Sequence, residues 1–223
     1  MKLRGLVGLC LAAFCSSTIA HAADLAARPY TKAIAAPVQY VNWTGFYAGL
    51  AVGYHDGTIT QFGCTGLCLT DPKLTGAFLA VSGGADYQFA NNVVLGAFIT
   101  APVTRLKADF TLVPGVVFNL RPQSAVIGAV RLGYAVNSFL PYIFGGVAYS
   151  KIEATSPFGP SPSNEHVGSV IGAGLEYRVA QHWSVDFRYA RISLPKMTYD
   201  FGGGFEQYGE DSNNYKIAGY YRF

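Results

Sequence analysis

The sequence predicts an all-β fold, an eight-stranded antiparallel up-and-down transmembrane β-barrel, and three observations carry that prediction. First, segments that alternate apolar with polar or small residues recur from Trp43 to Phe223. A period of two is the strand period, because successive side chains point to opposite faces. Second, the connections between segments alternate between tiny and long. Third, the 223-residue chain is charge-poor, with 13% Asp, Glu, Lys and Arg, where soluble chains average roughly 25%. Yet it contains no run of about 18 apolar residues from which a spanning helix could be built. Such a chain is either a Gly-rich soluble β protein or a membrane barrel.

The first element precedes the strands. Residues 1–22, "MKLRGLVGLCLAAFCSSTIAHA", begin with Lys2 and Arg4, continue with an apolar core from Leu6 to Phe14 and end in "AHA". That is the n-region, h-region and cleavage pattern of a secretory signal peptide. A lipoprotein leader needs a small residue immediately before its cysteine, and Leu9 and Phe14 stand there instead. Residues 23–42, rich in Ala with two prolines and no sustained period, read as a periplasmic lead-in segment, and 43–223 as the barrel. Sixteen basic residues less Lys2 and Arg4 leave 14 against 13 acidic ones, a balance of +1. That excludes a polybasic nucleic-acid binder.

The strands follow in order. Segment 45–54 places Phe46, Leu50, Val52 and Tyr54 on one face and Tyr47, Gly49, Ala51 and Gly53 on the other. Segment 76–89 groups Leu79, Val81, Tyr87 and Phe89 against Asp86, and 93–104 groups Val93, Leu95, Ile99 and Val103. Segment 124–136 groups Val126, Val130, Leu132, Tyr134 and Val136 against Arg131. In 140–150, Ile143, Val147 and Tyr149 share a face, but Tyr142 and Phe144 leave the phase open. Segment 169–179 sets Ile171, Leu175, Tyr177 and Val179 against Glu176 and Arg178, and 183–190 sets Trp183, Val185, Phe187 and Tyr189 against Asp186 and Arg188. The last, 214–223, sets Tyr215, Ile217, Tyr221 and Phe223 against Lys216 and Arg222.

Short turns are expected at 90–92, 137–139 and 180–182, and long connections at 55–75, 105–123, 151–168 and 191–213. Short and long in alternation put the turns on one rim and the loops on the other, as periplasmic turns and extracellular loops are arranged in outer-membrane barrels. Within the loop 55–75, Cys64 and Cys68 read as a disulfide in an oxidising exported compartment. A metal site would want further ligands, and none accompanies them at ligand spacing.

The strand charges decide which face meets lipid. Asp86, Arg131, Glu176, Arg178, Asp186, Arg188, Lys216 and Arg222 all lie in the phase opposite the large apolar side chains, among glycines and alanines. An eight-stranded barrel has an interior only just wide enough for side chains to fill, so the bulky residues belong outside and the charges within. Asp86, Arg131, Glu176, Asp186, Arg188 and Lys216 are the candidate interior charges. The expected pairs are Arg131 with Glu176, and Asp186 with Arg188 or Lys216; Arg178 and Arg222 are expected at the rim, within reach of water. Such charges line a selective path or cross-link a plugged lumen, and the narrow interior favours cross-linking. Trp43, Tyr87, Phe89, Tyr134, Tyr177, Trp183, Tyr221 and Phe223 form the expected interfacial girdle on the short-turn side.

With those residues in place, the chain resembles the small outer-membrane β-barrel proteins of alphaproteobacteria, which include the major surface antigens of the Rhizobiales and are related to the OmpA transmembrane domain. "NWTGFYAGLAVGY" (42–54), "GGADYQFANNVVLGAF" (83–98), "VRLGY" (130–134), "GAGLEYRV" (172–179), "HWSVDFRYA" (182–190) and the terminal Phe223 carry the resemblance. It implies that Tyr215, Ile217, Tyr221 and Phe223 are the signal recognised by the outer-membrane barrel assembly machinery. Departures at Phe98, Thr100 and Arg188 mean that the family's usual interior charge pairs do not transfer.

The expected role is a structural surface barrel, integral to the bacterial outer membrane, in contact with its lipid and lipopolysaccharide, without cofactor or nucleic acid. Alternatives are a small-solute porin, or loop-mediated binding of haem or of a host or cell-surface partner, with His55 and His166 as candidate loop contacts. No G-x-S-x-G elbow or H-E-x-x-H helix is present, so an enzyme is not expected.

Overall fold

A computed structural model describes residues 41–62, 73–104, 108–113, 116–155, 161–200 and 205–223. The signal peptide predicted at 1–22, almost all of the lead-in and the Cys64–Cys68 pair lie outside the described residues. Nine strands appear among the described residues: β1 (Gly45–Phe62), β2 (Lys73–Gln88), β3 (Val93–Pro102), β4 (Ala108–Val113), β5 (Val116–Tyr134), β6 (Phe139–Thr155), β7 (Ser163–Arg178), β8 (Trp183–Asp200) and β9 (Phe205–Arg222). Eight of them close an antiparallel barrel. Each pairs with the next along the chain, β3 joins β5, and β1 meets β9 from Tyr47↔Arg222 up to Phe62↔Gln207. β4 stays outside the ring and pairs only with the upper part of β5.

The short connections sit where the sequence put them. Asn92 and Asn137 adopt positive φ of 66° and 53°, a conformation that Asn tolerates better than most side chains. At the second of these, Val136 and Phe139 exchange backbone hydrogen bonds of 2.8 and 2.9 Å across a two-residue turn.

The long connections are a correction. Much of 55–75, 105–123, 151–168 and 191–213 is strand, because β1 runs on to Phe62, β6 to Thr155 and β8 to Asp200, while β4 and the start of β5 occupy the second stretch. Strands of 16 to 19 residues exceed the roughly 9–11 that cross a bilayer. The outer face of β1 is apolar from Phe46 to Tyr54 and then polar, with Asp56 exposed; β9 changes in the same way above Tyr215, at Asn213 and Asp211. Above the apolar band the outer face turns polar while Ile59, Leu74, Ile192 and Leu194 stay buried inside, so the backbone ladder persists without the outward apolar row by which these strands are recognised.

The phase assignment is clear. Phe46, Leu50, Leu79, Ile99, Val130, Ile143, Val147, Ile171, Phe187 and Ile217 are exposed on the outer surface. The uncertain strand resolves with Tyr142 and Phe144 buried inside and Ile143 outside. Trp43 leaves the predicted girdle: it is fully buried at the short-turn end, beneath two arginines. Arg222, expected within reach of water, is buried there too.

Candidate functional site

The lumen contains two charge clusters stacked below an open chamber. At the short-turn end, β2, β5, β7 and β9 bring Asp86, Arg131, Glu176 and Arg222 together, each nearly without solvent contact. Arg131 donates from Nε to Asp86 Oδ1 at 2.8 Å and from Nη1 to Glu176 Oε2 at 2.9 Å, and its Nη2 also reaches Asp86. Arg222 spans the same two acids, with Nη2 2.8 Å from Asp86 Oδ2 and Nε donating to Glu176 Oε1 at 3.0 Å. Two carboxylates and two guanidiniums cancel, which removes the penalty a lone buried charge would carry. Ser184 Oγ donates to Glu176 at 2.5 Å, and Arg222 Nη1 donates to the Trp43 carbonyl at 3.1 Å. Aromatic faces fill the space around the ions. Arg131 lies between Tyr47 and Tyr142, 4.8 and 4.9 Å from the ring centres, and Arg222 lies 4.8 Å from Trp43 and 4.7 Å from Tyr47.

The second cluster lies one layer higher. Tyr142 donates to Asp186 Oδ1 at 2.5 Å and accepts from Arg188 Nε at 2.8 Å, while Arg188 Nη2 sits 3.0 Å from Asp186 Oδ2. Arg188 lies 4.0 Å from the Phe98 ring centre, and Phe98 meets Phe144 edge-on at 5.3 Å. Tyr220 reaches Ser82 at 3.3 Å, and Ser82 shares a 2.7 Å bond with Thr100. Lys216 Nζ donates to Thr100 Oγ1 at 3.3 Å.

Above this layer a cavity of about 480 Å³ opens, walled by Leu74, Phe78, Ala148, Val170, Ile192 and Leu194. Near its top His55 Nδ1 lies 2.7 Å from Asn214 Oδ1, and Nε2 lies 3.0 Å from Glu210 Oε1. Burial, the largest influence, pulls the His55 imidazole down, but the bond to Glu210, its charge and the Asn214 contact outweigh it and raise the group above its ordinary value. His166 is buried by a different arrangement, with Nδ1 3.0 Å from the Pro195 carbonyl and Nε2 2.8 Å from Tyr199 Oη. Its burial lowers it.

Asp86, Arg131, Glu176, Asp186, Arg188 and Lys216 therefore all face the lumen. Arg131 contacts Glu176, and Asp186 contacts Arg188 rather than Lys216. Sequence reasoning missed the second anchor of the lower cluster, Arg222, and the tyrosines 47, 142 and 220 that bind or sandwich the arginines. Their small-residue phase-mates were the available signal for the tyrosines: each shares the phase of the strand's glycines or charges. His55 and His166 lie on β1 and β7 and face inward, not on loops. Tyr215, Ile217, Tyr221 and Phe223 all face outward, at 53%, 49%, 38% and 74% exposure.

The family model described as an outer membrane protein beta-barrel domain matches residues 7–223. The 31 kDa outer-membrane immunogenic protein of Brucella melitensis is 27% identical over 199 residues, covering 81% of this chain and 83% of that protein. The 25 kDa outer-membrane immunogenic protein of Brucella canis is 27% identical over 228 residues, covering 99% of each. Among solved structures, the outer membrane protein OprG from Pseudomonas aeruginosa superposes with a TM-score of 0.62 at 16% identity, covering 83% of this chain and 99% of that one. That likeness is one of fold.

Proposed function

The chain belongs to the outer membrane protein beta-barrel domain family, and from that premise we propose that this integral outer-membrane protein acts as a closed structural barrel of the cell surface. The observation that carries the proposal is the Asp86–Arg131–Glu176–Arg222 cluster, which joins four strands across the lumen among Trp43, Tyr47 and Tyr142. A cross-linked waist of this kind serves mechanical closure better than passage, since an eight-stranded interior has little room left once such side chains fill it. Residues 1–22 act as the export leader, the short turns face the periplasm, and the strand extensions project from the cell. The outward row Tyr215, Ile217, Tyr221 and Phe223 supplies the assembly signal. Lipid and lipopolysaccharide surround the apolar band.

The test is a deletion strain. Loss of the gene is expected to raise sensitivity to detergent, restored by the wild-type gene, with uptake of small hydrophilic solutes unchanged. Unaltered detergent sensitivity with slowed solute uptake would instead support a porin.

A further inference from the structure

The upper chamber has a composition that neither closure nor assembly requires. Its walls are apolar, and its floor presents Arg188, Lys216 and Thr100 beside Phe98 and Phe144. Both cations are more than nine-tenths buried. Arg188 Nη1 has no hydrogen-bond partner among the described residues, and the Lys216 ammonium, with three donors, has Thr100. The acid nearest them, Asp186, is already engaged by Arg188 and Tyr142. Glu210 also lines the chamber, but at the level of His55, which holds it.

The chamber also reaches the outer wall. Among the described residues, the ladder between β3 and β5 ends at Thr100↔Ile127, although β5 continues to Val116. Beyond that point Val103 and Val126, 60% and 38% exposed on the outer surface, line the same cavity as Phe98 and Arg188. The seam lies at the top of the apolar band, where acyl chains and their head groups meet. A cavity of about 480 Å³ falls within the roughly 300–1,000 Å³ of small-molecule sites.

We propose that this chamber binds a single-chain carboxylic acid, a fatty acid, received sideways from the membrane through the seam between β3 and β5. The carboxylate takes the free donors of Lys216 and Arg188 at the floor, and the chain lies against Leu74, Phe78, Ala148, Val170, Ile192 and Leu194. The charges explain the preference for an acid over a neutral amphiphile, because a buried cation without an anion is costly. The chamber lies above the cross-linked waist, so conductance and acid binding are read independently.

The test uses the folded barrel in nanodiscs with a fluorescent fatty acid probe, displaced by dodecanoate or by dodecan-1-ol. Dodecanoate is expected to displace the probe at a concentration at least about tenfold lower than the alcohol. Lys216→Met should shrink that ratio to about threefold or less. Ala190→Phe, which fills the chamber, should abolish binding, with folding checked by heat-modifiable mobility. Val126→Trp, at the mouth, should slow probe uptake several-fold. Absence of saturable probe binding, equal displacement by acid and alcohol, or an unchanged ratio in Lys216→Met would overturn the site. Unchanged uptake in Val126→Trp would overturn the lateral route. The acid-to-alcohol comparison needs no variant, so a misfolded mutant leaves the test decisive.

Discussion

Arg222 and Asp86 stand 136 residues apart in the chain and 2.8 Å apart in the barrel. The final residue of β9 thus reaches across the lumen to β2, and Glu176 on β7 receives the same guanidinium. The β1–β9 ladder that closes the ring thus also positions the guanidinium that bridges Asp86 and Glu176.

Removing Arg222 should destabilise the barrel without leaving its acids wholly unpaired, because Arg131 still contacts both. Arg222→Met is expected to cost about 2–3 kcal/mol, below the usual penalty of roughly 3–5 for breaking a buried pair. Arg131→Met should cost more, since it also vacates the space between Tyr47 and Tyr142. Urea unfolding in lipid vesicles measures both. Equal losses, or a loss under about 0.5 kcal/mol for Arg131→Met, would contradict the proposed cross-link.

The outer face makes a separate prediction. Ile143 is 63% exposed on β6, five residues above the Ser138 turn, which places it near mid-membrane. Ile143→Arg should cost about 2–4 kcal/mol in vesicles. A neutral result there would mean that this face does not meet lipid.

Two glycines at the β1–β9 closure should respond oppositely. A Cβ on Gly49 would meet the Gly219 carbonyl at 1.9 Å, whereas a Cβ on Gly219 meets nothing within 4 Å. Gly49→Ala should therefore destabilise by about 1–3 kcal/mol through overpacking. Gly219→Ala should be tolerated, and it strengthens the outward apolar row. Comparable folding yields for the two variants would contradict the register.

His55 gives the upper barrel a pH dependence. Its folded-state value is raised, so its contribution is fully present below the unfolded imidazole value and is lost as pH rises through the higher folded value. The stability difference between wild type and His55→Gln should thus be largest in mild acid and shrink toward alkaline pH. Unfolding titrations across that range check the sign; a difference that grows with pH would refute the His55–Glu210 pairing.

These residues also show how much could be read from the sequence. Charges and glycines sharing one phase, as with Arg131 and Gly133, reveal the lumen face because lipid excludes the charge and the narrow interior suits the glycine. Tyr142 and Phe144 did not declare theirs, since an aromatic residue suits lipid and an arginine-lined interior equally. Trp43 reads as a girdle residue in the sequence because its partner Arg222 lies 179 residues away. The strand extensions are hidden in the sequence because Asp56, Asn213 and Asp211, on the outer surface above the apolar band, look like loop residues. Lys216 is legible as interior but not as the cation without an acid at ion-pair distance among the described residues, because pairing depends on which strands the closure brings together.

Closure of the lower lumen by its own side chains is the proposal on which the structural role rests. Single-channel recording of the folded barrel in planar lipid bilayers checks it, after heat-modifiable mobility has confirmed folding. A silent barrel is the predicted result; discrete, salt-dependent conductance steps from the folded wild type would contradict it.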